Sequence, residues 1–355
     1  MKGEKYFMIN NELKISVGGG KKNKHYEVIS FVRGFSIFTI VLMHLLQGYI
    51  KSCPSIVAKA AAIGGTGVHV FFFCSGFGLY LSYLRKPIGF VDFMKKRLLK
   101  IYVPYIIIIL ISAFVPFMFN GNRIQAFLSH LFLYKMFIPE YESSFGNQFW
   151  FISTLIQLYI VFIPLCKVKK KLGKKFFLIT FSISVAWWIF TGITGLCNER
   201  IWGSFFLQYL WEFALGMMIA QRLEEGESIE YNRKSLFLIA VIGITIAAIA
   251  SLKGGVLNTF NDLFAMSGYL SLSLFIYLFE YNWVRKLFLF ISSISYELYL
   301  VHVLVFKIIF TIIPTSGKVE YLIAVFAFVL AVMIAYIYSI FINKIMKNKK
   351  KIICG

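Results

Sequence analysis

Apolar positions in this chain run on without a polar face for about 18 or more residues at a time, a pattern that fits membrane crossing rather than an amphipathic surface helix. Such a run crosses a hydrocarbon core of about 30 Å as a helix, and short polar or basic stretches separate one run from the next. The runs fall near 28 to 50, 64 to 84, 99 to 119, 149 to 166, 176 to 196, 203 to 221, 236 to 252, 259 to 280, 287 to 310 and 321 to 342. They predict an all-α, polytopic membrane helix bundle with about ten transmembrane helices. The stretch from Ile124 to Ile138 is apolar but short, and it holds Ser129, His130 and Lys135. It reads as a re-entrant or interfacial segment on the outer side. No fixed-period repeat and no long polar domain interrupts the runs. The expected organisation is therefore a basic segment over 1–24, one membrane domain over 25–343 and a basic tail over 344–355.

Composition agrees with this pattern. Hydrophobic residues make up 59% of the 355 and charged residues 15%, whereas soluble domains have about 25% charged residues. The net charge of +21 raises the question of nucleic acid, but no long basic arm interleaved with aromatics exists, so no nucleic-acid partner is expected. The charge is explained by orientation. With the N-terminus inside, 28 of the 37 Lys and Arg residues fall on the cytoplasmic side, 8 fall outside, and Arg33 lies within the first run. This asymmetry predicts that both termini are cytoplasmic. Residues 1 to 24 are polar and basic with no apolar h-region, so the first helix itself is expected to direct insertion. Cys53, Cys74, Cys166, Cys197 and Cys354 lack CxxC spacing, which argues against zinc and redox motifs. Cys53 and Cys197 both fall outside in this arrangement, where a disulfide between them is chemically open.

Polar and ionisable side chains within the runs are the candidates for chemistry, with interhelical hydrogen bonding as the competing explanation. In the first run, VISFVRGFSIFTIVLMHLLQG, Arg33 and His44 are eleven residues apart. That is three helical turns plus about 20° and a rise of roughly 16 Å, so the two share one face. A guanidinium suits phosphate, and a neutral imidazole suits removal of a proton from a hydroxyl. Arg33 snorkelling to headgroups while His44 bonds a neighbouring helix accounts for the spacing equally well. His69 in GGTGVHVFFFCSGFGLYLSYL and His302 in LFLFISSISYELYLVHVLVF come to a depth comparable to His44. Gly64, Gly65, Gly67, Gly76 and Gly78 permit close helix approach. Ser75, Ser295, Tyr296 and Glu297 lie near mid-membrane, and Glu297 and Glu212 each need a partner that Arg33 or a histidine could supply. Ser75 could act as an acyl-enzyme nucleophile beside a His, but it lacks a GxSxG elbow and packing is the commoner role. Lys95, Lys96, Arg97 and Lys100 gather at the cytoplasmic mouth of the third run, where topology alone already places basic residues.

Together these segments resemble the acyltransferase family 3 membrane proteins over most of the chain. Arg33 to His44 is similar to the family's first-helix Arg-x10-His pattern, and GTGVHVFFFCSGF is similar to its glycine-bearing second helix. KKRLLKIYVPY resembles the basic segment leading to a Pro-Tyr pair, FWFISTLIQLYIVFIPL the Trp-led fourth helix with Gln157, and ISYELYLVH the SYxLYLxH signature. The resemblance implies transfer of an acyl group, often acetyl, from cytoplasmic acyl-CoA to a hydroxyl of an extracytoplasmic glycan, with no permanently bound cofactor. It implies His44 and Arg33 as the catalytic pair. The binding of donor and acceptor then falls to Lys95, Arg97, His69, Ser75, Gln157, Tyr296, Glu297 and His302. The chain departs from the family at His69, where many members carry an acid, at Lys95, where an arginine is common, and at Leu155 and Ile156, which replace paired glutamates. The rival reading is a transporter or flippase that moves a lipid-linked sugar or polysaccharide through the same intramembrane polar residues without altering it.

Overall fold

The computed structural model describes residues 12–15, 26–253, 256–279, 281–314 and 316–354. In chain order its elements are β1 (Glu12–Ile15), α1 (Glu27–Gly48), α2 (Ser55–Ala62), α3 (Gly67–Arg85), α4 (Phe90–Phe114), α5 (Arg123–Leu131), α6 (Trp150–Leu172), α7 (Phe176–Ile193) and α8 (Arg200–Gly203). There follow α9 (Phe206–Glu224), β2 (Ile229–Asn232), α10 (Arg233–Lys253), α11 (Val256–Thr259), α12 (Asn261–Tyr277), α13 (Asn282–Ser293), α14 (Ser295–Ile312) and α15 (Val319–Cys354). Nine of the ten apolar runs each coincide with one helix (α1, α3, α4, α6, α7, α9, α10, α12 and α15), and the run near 287 to 310 is shared between α13 and α14. Among the described residues, 7 helical stretches are long and apolar enough to cross a membrane, and one of these, Asn147–Ile193, contains both α6 and α7. The shortfall against the expected number lies in α9 and α12. α9 carries Glu212, Arg222 and Glu224, and α12 has only 17 residues.

Other boundaries moved for local reasons. α4 begins at Phe90, well before the apolar run, because the basic segment KKRLLK continues the same helix. The run near 287 to 310 is divided at Ile294 (φ −116°, ψ 15°) into α13 and α14. α15 extends through the basic tail to Cys354. Segment 124–138 forms the 9-residue α5 followed by short 3-10 turns, too short to span, with Ile124, Phe132 and Phe137 exposed. The small antiparallel ribbon of β1 and β2, pairing Leu13 with Tyr231, has no counterpart in the periodicity. Cys53, Cys74, Cys166 and Cys197 are free thiols.

The fold divides into two units. The first comprises Met1–Ser36, Thr66–Ile88 and Ile160–Ser292, and glycines set its packing. A Cβ on Gly76 would lie 2.0 Å from the Phe213 carbonyl oxygen, and one on Gly216 would lie 2.1 Å from that of Phe73, so α3 and α9 touch backbone to backbone. Gly243 and Gly268 do the same for α10 and α12. Phe73, Trp188, Trp211 and Met266 form its buried cluster.

The second unit comprises Ile37–Gly65, Gly89–Tyr159 and Ser293–Gly355. Here Pro104 lies inside the continuous helix α4, where it lacks the N–H for one bond of the helical ladder. Tyrosines hydrogen-bond two carbonyls of the same stretch: Tyr338 donates to the Pro104 oxygen at 2.6 Å and Tyr296 to the Ile101 oxygen at 2.7 Å. Gly64 and Gly65 close on Thr39 and Met43 of α1, whereas Gly78, in the first unit, faces open space. Exposed apolar side chains such as Phe114, Ile193 and Leu322 occur on helices of both units, the composition expected where lipid takes the place of water.

Candidate active site

The second unit brings His44 of α1 and His302 of α14 together. Nδ1 of His44 lies 2.9 Å from Nε2 of His302, with the rings stacked 5.1 Å apart at 25°. His302 is fully buried, and its Nδ1 lies 2.9 Å from the Leu298 carbonyl oxygen one turn earlier. A carbonyl can only accept, so that Nδ1 carries the proton and, in a neutral imidazole, Nε2 is left as an acceptor. His44 must then donate through its own Nδ1–H. Its Nε2 keeps a lone pair. The chain from Leu298 through His302 thus fixes the tautomer of His44 and turns its basic nitrogen away from the pair.

Arg33, on the same helix, belongs to the first unit. Its Nε donates to the Ser292 hydroxyl at 3.0 Å and its Nη2 to the Ser292 carbonyl at 3.1 Å. Gly34 makes this approach feasible, since a Cβ there would meet the Phe288 carbonyl oxygen at 1.9 Å. Arg33 is therefore a half-buried, hydrogen-bonded group and not a side chain snorkelling freely.

His69, also in the first unit, is engaged by two acids. Its Nδ1 donates to Glu212 Oε1 at 2.6 Å, and its Nε2 lies 3.6 Å from Asp262 Oδ1. Gln208 donates to the other Asp262 oxygen at 2.6 Å. Glu212 thus has the histidine partner that its burial demands, although its Oε2 has no hydrogen bond. One ligand atom from each of His69, Glu212 and Asp262 lies within 4.8 Å of the others, a spacing a cation could use. With Nδ1 committed to Glu212, however, the trio offers too few protein ligands for a zinc centre. Depth along the helices grouped His69 with His44 and His302. Contacts separate a histidine pair from a histidine held by acids.

Arg97 sits over the Phe93 ring at 5.8 Å with its Nε buried and without a hydrogen bond, and Lys95 is exposed; both belong to the second unit. Gln157 is half-buried on α6, and Glu297 half-buried at the start of α14. The Tyr296 hydroxyl donates to the Ile101 carbonyl oxygen. Ser75 is half-buried on α3 and hydrogen-bonds no histidine among the described residues, so the serine nucleophile gains no support. Leu155 and Ile156, where the resemblance would have paired glutamates, are buried apolar residues of α6.

A polar network that sequence reasoning did not single out surrounds His130 in the second unit. The Tyr105 hydroxyl lies 2.5 Å from its Nδ1, and its Nε2 lies 2.9 Å from the Ser144 hydroxyl, which itself donates to the Tyr141 carbonyl. Nε2–H therefore donates and Nδ1 accepts, a neutral tautomer buried at α5. Burial, with Lys135 nearby, holds the His130 pKa well below its ordinary value. The available signal was a histidine in an apolar segment too short to span.

The sequence profile described as an acyltransferase domain, that of acyltransferase family 3, matches residues 26–340. No curated protein and no solved structure matches the chain. The matched stretch takes in all of α1 to α14, and with them His44, His302 and Arg33. The chain belongs to the acyltransferase family 3 of membrane proteins.

Proposed function

We propose that the protein is an O-acyltransferase of a bacterial plasma or inner membrane. It moves an acyl group, acetyl by preference, from cytoplasmic acyl-CoA to a hydroxyl of an extracytoplasmic sugar or polysaccharide. The observation that carries this reading is the fixed lone pair on His44 Nε2. That nitrogen takes the proton of the acceptor hydroxyl while the hydroxyl oxygen attacks the thioester carbonyl. The carbon–sulfur bond then breaks, and coenzyme A leaves as the thiol with the proton His44 had taken. One ester forms, one thioester is lost, and no cofactor is consumed. His302 acts through His44 and is a positioning residue.

Each unit, taken by itself, carries basic groups suited to phosphate. Arg33 keeps Nη1 for a phosphate once Ser292 has taken Nε and Nη2, and Arg97 offers a buried Nε without a hydrogen bond. Lys95 adds charge at the exposed start of α4. Membrane lipid is the surrounding medium, and nothing in the distribution of basic residues calls for nucleic acid.

The accompanying topology has ten crossings with both termini in the cytoplasm, counting α9 and α12 among them. Contacts within each unit support it by joining segments that charge bias puts on one side. In the first unit β1 pairs with β2, Arg85 with Glu224, and Arg285 with Glu27. In the second, Glu320 accepts from the Ser52 backbone at 2.8 Å on what would be the outer side.

The test uses purified protein in lipid nanodiscs with radiolabelled acetyl-CoA and cell-envelope glycan stripped of its O-acyl groups by mild alkali. Label should enter the glycan as a base-labile ester with wild type and not with His44→Ala. Glycan that stays unlabelled with wild type would contradict the reading.

A further inference from the structure

The segment between α4 and α6, together with Lys307 of α14, lines an open cleft of about 530 Å³ in the second unit. Phe117 and Phe119 supply its apolar wall, and Asn120, Asn147, Glu140 and Lys307 its polar edge. We propose that this cleft binds the acceptor, seating a neutral sugar ring of a cell-envelope glycan and presenting its hydroxyl toward the His44–His302 pair.

Chemistry favours a sugar over other ligands of that size. A pyranose has apolar C–H faces that lie against aromatic rings and an equatorial belt of hydroxyls that both donate and accept. Phenylalanine, amide, carboxylate and ammonium groups in one cleft match that combination. A phospholipid headgroup or a phosphorylated sugar would find Lys307, but it would also bring a phosphate against the Glu140 carboxylate. Glu140 and Lys307 form no ion pair among the described residues, so both remain available to hydroxyls. The volume lies within the range of about 300–1,000 Å³ typical of small-molecule sites.

The cleft lies near the level of the histidines inside the same unit. Lys307 is on α14 five residues beyond His302, a rise of about 7.5 Å and a turn of about 140°, so the two occupy neighbouring levels on different faces of the helix. Asn147, on the opposite bank, precedes Gln148, whose carbonyl accepts a 2.5 Å hydrogen bond from Tyr299, one turn before His302.

The proposal rests on the acyl-transfer reading, and one experiment separates the two. Initial rates are measured in nanodiscs against the concentration of alkali-treated glycan for wild type, Phe119→Ala, Asn147→Ala and Glu140→Gln, with acetyl-CoA saturation measured in parallel. Asn147 and Glu140 are exposed, so their variants report on the cleft even if Phe119→Ala fails to fold. Each variant should raise the half-saturating glycan concentration by about tenfold, the loss of one good contact. The maximal rate and the half-saturating acetyl-CoA concentration should stay within about twofold of wild type. Glycan saturation unchanged in Asn147→Ala and Glu140→Gln would overturn the site while leaving the enzyme reading standing. Failure of wild type to label the glycan at any concentration would remove both.

Discussion

The hydrogen bond that His302 Nδ1–H donates to the Leu298 carbonyl decides which nitrogen of His44 can act as a base, so the chemistry is set one residue away from where it occurs. Replacing His302 by Phe removes the acceptor for His44 Nδ1–H and frees the ring to flip or change tautomer. Transfer should then fall by about 10² to 10⁴, the usual range for loss of an oriented base, with acetyl-CoA half-saturation unchanged. His302→Gln, whose amide oxygen can still accept, should recover part of that loss. Steady-state rates of the two variants, compared at equal membrane expression, check this. Lysine cannot reproduce the two-point hold on Ser292, so Arg33→Lys should raise the half-saturating acetyl-CoA concentration more than that of the glycan. Equal effects on both substrates would point to a purely structural arginine.

Between helices, close approach and buried hydrogen bonds carry the specificity, and both yield predictions. Gly34→Ala places a methyl group inside the Phe288 carbonyl and must push α13 off α1, at a cost of about 1–3 kcal/mol. Gly78→Ala meets open space and should be neutral or stabilising by up to about 1 kcal/mol, since alanine is the better helix former. Thermal unfolding of the two variants in the same detergent provides the comparison. His130 adds a pH dependence. Its pKa in the fold lies well below the ordinary 6.5, so the unfolded chain binds the extra proton first as pH drops. The stability due to the neutral His130 network is full above about pH 6.5 and is lost progressively below it. Hydrogen-exchange protection over residues 123–149, taken relative to the intrinsic rate at each pH, should therefore fall between pH 8 and pH 5.5. In His130→Gln that loss of protection should be absent. Much at this scale was hidden from the sequence. Continuous apolar runs locate helices well, but they are silent on which faces meet. Glu212 was legible as needing a partner, and Arg33 and His44 as sharing a face, whereas Ser292 and Asp262 carried no signal. The break at Ile294 was invisible because the last turns of α13, LFLFISS, run into the apolar α14 as one stretch.

Across the whole chain, hydropathy and charge give the membrane class and the helix positions without further help, and five short motifs in order lead to the family that the profile then shows. The β1–β2 ribbon escaped because it involves only four residues on each side. Orientation is testable directly. In a background with the native cysteines replaced by Ala, Asn120→Cys should react with a membrane-impermeant maleimide in intact cells, and Lys96→Cys only after permeabilisation. The reverse order would invert the topology and move the cleft to the cytoplasmic face. The central claim, that His44 transfers an acyl group to a glycan, is tested most directly by NMR of the surface glycan from cells lacking the protein and complemented with wild type, His44→Ala or His302→Phe. Wild type should restore O-acyl signals, His44→Ala should restore none, and His302→Phe should restore a small fraction at equal membrane expression. Identical acylation in every strain, with only the amount of exported glycan changed, would contradict the account and favour a transporter.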